Sequence, residues 1–195
     1  MAQNSIIIYG EVISNPSFSH KAGDIDFYKF EMEIRRPEEP DQDIVTIMIP
    51  GSYLEDPLYY FQIGDMLKVH GELRSYVNIK TKECNKYIYV HHLRINENSY
   101  RGGRETEIRL EAIISKLRFE KNHVEANLTV RKEDKITLSI WCNLDYITEE
   151  VVEKLSIGDK VFVVGQYVTK QYTSVDETGT KTEFVQEILA ADLLC

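Results

Sequence analysis

From Arg74 to Tyr89 the chain reads RSYVNIKTKECNKYIY. Arg74, Lys80, Lys82 and Lys86 stand against the single acid Glu83, with Tyr76, Tyr87 and Tyr89 interleaved. Such a stretch can work without any reactive group: cations hold phosphates, and ring faces stack on planar bases. Each stacked base is worth about 1–3 kcal/mol, and every base has a π-face, so this chemistry takes a single strand with little regard for its sequence. Arg35 and Arg36 end an earlier segment in which Phe27 holds an outward position. The second half offers Lys116, Arg118, Phe119, Lys121, Arg131, Lys132, Trp141, Lys170 and Tyr172. Taken singly, most of these lysines read as solvated surface. Arg74 with Tyr76, and Lys170 with Tyr172, carry more weight because a basic residue followed by an aromatic recurs in a repeated segment. Trp141 continues the outward set Thr137 and Ser139 but has a second reading, packing beneath a helix. The nucleic-acid-binding set expected from sequence is Phe27, Arg35, Arg36, Arg74, Tyr76, Lys80, Lys82, Lys86, Arg118, Phe119, Arg131, Trp141, Lys170 and Tyr172.

Other chemistry has less to stand on. His91 and His92 are adjacent and follow Cys84 by seven and eight positions, which is no zinc spacing, and Cys142 lies in the other half. There is no P-loop, nucleophile elbow or His-Glu-x-x-His sequence. Asp24, Asp26, Asp41 and Asp43 lie near Arg35, a composition that nucleases also use, but in an acidic chain they read as solvated loops. No enzyme, metal or cofactor is expected.

The elements that position these residues are written twice. IGDMLKVHGELRSY (63–76) returns 94 positions later as IGDKVFVVGQYVTKQY (157–172). GEVIS (10–14) answers to EAIIS (111–115), FYKFEMEIRR (27–36) to HVEANLTVRK (123–132), and VTIMI (45–49) to ITLSI (136–140). The period is two, the mark of half-buried strands. Tyr28, Phe30, Met32 and Ile34 form one inward set; Leu67, Val69, Gly71 and Leu73 another, repeated as Val161, Val163, Gly165 and Tyr167. Gly71 and Gly165 fall inside strands, where glycine marks a bend or bulge.

Each copy reads as three strands, a connecting segment and two more strands. The first copy's strands are expected near 5–14, 26–36, 43–49, 65–76 and 86–95; the second's near 107–116, 123–131, 135–142, 159–172 and 182–193. The connector YITEEVVEKL (146–155) has Ile147, Val151 and Leu155 at helical spacing, whereas Pro57 allows SYLEDPLYYF (52–61) only a short turn. Five strands with a helix between the third and fourth is the plan of an OB-fold. The expected fold is therefore all-β with short helices, two tandem five-stranded OB-fold barrels. Residues 1–97 and 106–195 are the domains and 98–105 the linker.

Composition sets limits. The 195 residues are 43% hydrophobic and 28% charged, with a formal net charge of -9. The missing global basic footprint counts against a nucleic-acid ligand, but a strand meets local potential within a Debye length of about 8 Å. Three widely spaced cysteines suggest a reducing compartment. The first residues lack a signal-peptide pattern, and no apolar run reaches the roughly 20 residues that span a bilayer. A cytoplasmic location without membrane contact is expected.

With these residues in view, the chain resembles bacterial single-stranded DNA-binding proteins in their tandem OB-fold form. GEVISNPSFS is similar to that family's first strand and following loop, and FYKFEMEIRR to its second strand. VHGELRSY is similar to its fourth strand, and Tyr172 falls where the family commonly stacks a base. The resemblance implies single-stranded DNA as ligand, a nucleoid-associated role in replication, recombination or repair, and a homodimer that supplies four OB-folds. RNA is an alternative ligand, since stacking does not sense the 2′-hydroxyl. An OB-fold protein–protein adaptor in a DNA-processing complex is the alternative function. The ending EILAADLLC is not the family's disordered acidic tail, which puts tail-mediated recruitment of replication or repair proteins in question.

Overall fold

A computed structural model describes residues 4–35, 42–77, 84–95, 106–120, 123–131, 134–141, 153–176 and 179–194. The first half contains β1 (Asn4–Val12), β2 (Ser17–Ala22), β3 (Ile25–Arg35), β4 (Gln42–Pro50), β5 (Met66–Val77) and β6 (Cys84–Ile95). The second contains β7 (Thr106–Glu120), β8 (His123–Arg131), β9 (Asp134–Trp141), β10 (Lys160–Asp176) and β11 (Gly179–Leu194). Between β4 and β5 lie only a one-turn helix α1 (Ser52–Glu55) and a 3₁₀ turn (Pro57–Tyr59), the interruption that Pro57 imposes. The helix expected over 146–155 and the linker at 98–105 lie outside the described residues, apart from 153–155. No helix among the described residues is long and apolar enough to cross a membrane.

The strands form two rings. In the first, β1 pairs β5, β5 pairs β6, β6 pairs β4, β4 pairs β3, and β3 returns to β1 through Glu11↔Glu33 and Val12↔Met32. The second follows the same circuit, β7–β10–β11–β9–β8–β7. All pairings are antiparallel except β4–β6 and its counterpart β9–β11. These are the two five-stranded OB-fold barrels. The inward sets read from the sequence fill them: Phe30, Met32, Ile34, Leu67, Val69 and Leu73 in one, Val161, Val163 and Tyr167 in the other, all buried.

The repeated residues have repeated jobs. The β5–β6 ladder slips between His70 and Gly71, and the β10–β11 ladder between Val164 and Gly165. A Cβ on Gly71 would lie 2.2 Å from the Tyr89 carbonyl oxygen, and one on Gly165 would lie 2.4 Å from that of Leu189. Each barrel therefore turns its corner where only glycine lets two backbones close. In IGD, Gly64 and Gly158 adopt φ of 94° and 99°. The Asp65 carboxylate accepts the Gln62 N–H (2.8 Å), as Asp159 accepts the Ser156 N–H (2.8 Å). The Gly64 and Gly158 N–H groups donate to Val12 and Ile114 carbonyls at 2.9 and 2.8 Å, tying each turn to its barrel's first strand.

β2 was not expected. It is an almost wholly exposed ribbon without alternating burial, so periodicity gives no signal for it. In the second half the first strand simply continues to Glu120; in the first half Asn15-Pro16 interrupts it, proline having no N–H for the ladder.

The barrels share a seam. β1 and β7 pair antiparallel from Asn4↔Leu110 to Ile8↔Thr106, and β10 packs on β4 as β5 packs on β9, an approximate twofold arrangement. At this seam Asp43 is 1% exposed, and its carboxylate accepts the Thr169 backbone N–H. Tyr167 is buried beside it; burial first, then the Asp43 charge, push the phenol far above the ordinary tyrosine range, so it stays neutral.

Candidate nucleic-acid interface

On the outer side of the first barrel, β5 presents Glu72, Arg74 and Tyr76 between the inward residues Gly71, Leu73 and Ser75. β6 presents Tyr87, Tyr89 and the bulged His91. The register sets Glu72 opposite Tyr89, Arg74 opposite Tyr87, and Tyr76 opposite Asn85. The Arg74 guanidinium lies 4.1 Å from the centre of the Tyr89 ring, a cation–π stack. Arg74 Nε and Nη2 both donate to Glu72 Oε2, at 3.1 and 2.9 Å. His91 Nε2 is 3.0 Å from the other carboxylate oxygen, Oε1. Its ring meets Tyr89 edge-on at 5.4 Å. Tyr76, 47% exposed, tilts against Tyr87 at 5.9 Å.

The aromatic run continues onto β3. Phe27 is 6.1 Å from Tyr89, and His20 of β2 stacks on Phe27 at 5.0 Å and 14°. The connector supports the cluster from one side: the Tyr53 hydroxyl donates to the His91 carbonyl at 2.8 Å, and its ring packs on Tyr59 at 4.8 Å. Burial, then the neighbouring Tyr59 and Tyr89, hold the Tyr53 phenol above its ordinary range, so it remains a donor. The result is a band of rings about one guanidinium, with Lys29 exposed at the same face of β3. It can offer π-faces and a fork of N–H donors to a ligand with planar groups and anionic links.

The sequence-expected residues divide as follows. Arg74 and Tyr76 sit together in this band. Phe27 faces away from the barrel core, as its alternation required, but it is not an open platform: at 9% exposure it is covered by His20 and Tyr89. Lys86 shares the parity of Ile88 and Val90, which places it on the opposite face of β6 from Tyr87 and Tyr89. Arg36, Lys80 and Lys82 lie outside the described residues. Arg35 is placed by its backbone opposite Gln42, Arg131 opposite Asp134, Trp141 opposite His123, Lys170 opposite Val185, and Tyr172 opposite Glu183. On the β7–β8 hairpin, Phe119 is 57% exposed and Arg118 lies 3.8 Å from Glu125. Tyr89, under the Arg74 guanidinium, and His91, on the far side of Glu72, fall outside the expected set because cross-strand neighbours depend on a register that the bulge shifts. Glu72, two residues before Arg74 on the same outward face, was within reach of the alternation but was not read as its ion-pair partner.

One expectation needs correcting. Arg74–Tyr76 and Lys170–Tyr172 look like one repeated pair, but counted from the two bulge glycines they are out of step by two residues. Lys170 is the counterpart of Tyr76, and Val168, 3% exposed, is the counterpart of Arg74. Gln166, Leu189 and Ala191 stand where the first barrel has Glu72, Tyr89 and His91. Among the described residues no group of three or more His, Cys, Asp or Glu could hold a metal ion.

No protein-family model matches the chain, and no curated protein matches its sequence. Among solved structures, the wild-type single-stranded DNA binding protein from Thermus aquaticus superposes with a TM-score of 0.69, covering 99% of this chain and 92% of that one at 14% identity. A deletion mutant of the same protein gives 0.67, covering 99% and 94% at 15% identity. The N-terminal domain of PriB from Thermoanaerobacter tencongensis covers 47% of this chain and 94% of its own at 22% identity, with a TM-score of 0.40. The likeness to the Thermus protein extends over nearly the full length of both chains and bears out, at the level of the fold, the tandem-barrel architecture that the sequence resemblance implied.

Proposed function

We propose that this chain binds single-stranded DNA with little sequence preference, by stacking bases on aromatic rings and holding phosphates with arginine and lysine. The observation that carries this is the outer band of the first barrel, Tyr76–Tyr87–Arg74–Tyr89, set on two OB-fold barrels. The similarly folded Thermus aquaticus protein is by name a single-stranded DNA binding protein, which supports the same ligand class here. The protein acts as a binder rather than an enzyme, covering exposed single strands during replication, recombination or repair in the bacterial cytoplasm. Its units are residues 1–97 and 106–195, joined by 98–105, and a homodimer would present four barrels. In the second barrel, Arg118, Phe119, Arg131, Trp141, Lys170 and Tyr172 extend the path. In the first, Arg35, Arg36, Lys80 and Lys82 supply its basic edges.

The test is fluorescence anisotropy with a labelled oligo-dT of about 35 nucleotides, against the duplex and an RNA of the same length. Binding to the single strand should fall with salt, with a log–log slope of about −0.7 for each phosphate neutralised. An adaptor is the second reading, favoured by one observation: Leu54, Leu58, Tyr60 and Ile63 on the β4–β5 connector are all exposed. Absence of oligonucleotide binding at low salt would select that reading, and metal-dependent loss of the oligonucleotide would reveal a nuclease.

A further inference from the structure

Glu72 is poorly placed for a protein that binds a polyanion. Its carboxylate lies in the middle of the first barrel's aromatic band, its side chain only 15% exposed, with both oxygens engaged. Oε2 takes two N–H groups of Arg74, whose guanidinium lies over the Tyr89 ring. Oε1 faces His91 Nε2, and since a carboxylate oxygen only accepts, that nitrogen carries the proton. The barrel does not need this arrangement. The second barrel has the same ring and the same bulge with Gln166, Val168, Leu189 and Ala191 at the four positions. A half-buried ion pair also contributes little net stability for its desolvation cost.

We propose that Glu72 fills, in the free protein, the subsite that a phosphodiester of the bound strand takes over, so that Arg74, Tyr89 and His91 form a self-occupied phosphate site. This rests on the function proposed above. A carboxylate and a phosphodiester each carry one negative charge and present two acceptor oxygens, and the guanidinium fork suits both. Tyr89 beneath the guanidinium holds it in place, and Tyr87 beside it is placed to stack the base attached to that phosphate. On binding, Arg74 exchanges one anion for another while Glu72 keeps His91. The exchange lowers the net gain from Arg74 and makes the strand easier to release.

The test is oligo-dT binding by wild type, Glu72→Gln, Glu72→Asp and Glu31→Gln, each checked for folding by its thermal melt. Glu31 is an exposed acid of β3 on the same outer side and reports the general effect of removing one negative charge. Glu72→Gln should bind about five- to tenfold tighter, with a salt slope steeper by about 0.7, because no released carboxylate then takes up a cation to offset the one that the phosphate sheds. Glu72→Asp keeps the charge but shortens the reach to Arg74, so it should also tighten binding, by about two- to threefold; it serves alone if Glu72→Gln does not fold. Adding Arg74→Ala should cancel the gain of Glu72→Gln. If the wild type binds but Glu72→Gln does no better than Glu31→Gln and Glu72→Asp is unchanged, the subsite is refuted and the binding function stands. If neither the wild type nor Glu72→Gln binds, both fall together.

Discussion

After its bulge, the first barrel carries Glu72, Arg74 and Tyr76 on β5, with Tyr89 and His91 across from them; the second carries Gln166, Val168 and Lys170 on β10, with Leu189 and Ala191. The backbone path is the same to the residue, and the chemistry is different at every one of these positions. Val168 is buried where Arg74 offers a partly exposed guanidinium, and Thr169 beside it reaches across the seam to Asp43. One barrel has spent this face on charge and rings, the other on apolar contact close to its neighbour. A duplicated barrel therefore keeps what closes it, glycine at the corner and Gly-Asp at the turn, and leaves the outer face free to diverge.

The common frame can be broken first. Gly71→Ala and Gly165→Ala each force a Cβ onto a carbonyl oxygen, at 2.2 and 2.4 Å, so backbone must move. Each should cost about 3 kcal/mol, a fall of roughly 6–12 °C in melting temperature, and the two losses should be alike. A large loss at one position and none at the other would mean that the corners are not equivalent.

Tyr89→Ala against Leu189→Ala separates the faces. The first should weaken oligo-dT binding by about 2 kcal/mol, roughly thirtyfold, and the second should leave affinity unchanged. Equal losses would move the binding face off the first barrel's band. At the seam, Asp43→Ala removes the acceptor of the Thr169 N–H, leaving that donor buried; a melt lowered by about 1–2 kcal/mol with oligonucleotide affinity intact is expected. If affinity falls instead, the seam itself shapes the ligand path.

How much of this could be read beforehand depends on whether a residue acts through its own type or through a neighbour far away in sequence. Gly71, Gly165, Gly64 and Gly158 act through their own backbone freedom, so their repetition revealed two barrels and located the corners. The inward sets on β3, β5 and β10 act by burial, and period two displays them. The band is different. Arg74 was visible as a cation near rings, and Glu72 shares its outward face two residues before it, but Tyr89 beneath the guanidinium and His91 beyond Glu72 are set by a ladder that slips by one residue at Gly71. Phe27 was legible as outward-facing, whereas its cover, His20, sits on a polar ribbon that no periodicity announces. The two-residue offset between Arg74–Tyr76 and Lys170–Tyr172 could be counted in the sequence, Tyr76 standing five residues after Gly71 and Tyr172 seven after Gly165. What the ladders add is that both glycines sit at the bulge, which makes that count the true equivalence.

The smallest effect tests that equivalence directly. Tyr76 and Lys170 occupy equivalent backbone positions, each five residues past its barrel's bulge glycine, an aromatic residue in one barrel and a basic one in the other. Tyr76→Lys exchanges a stack at the edge of the band, at the low end of about 1–3 kcal/mol, for a phosphate contact. At low salt the two should nearly offset, within about threefold, while the salt slope steepens by about 0.7. Lys170→Tyr should do the reverse, flattening the slope by a similar amount and holding affinity better in high salt. Stacking does not respond to counterions and phosphate contacts do, so slopes moving in opposite directions would place both fourth-strand positions on one continuous path. If Tyr76→Lys changes neither affinity nor slope, the path ends at Tyr89, and the distal part of β5 lies outside it.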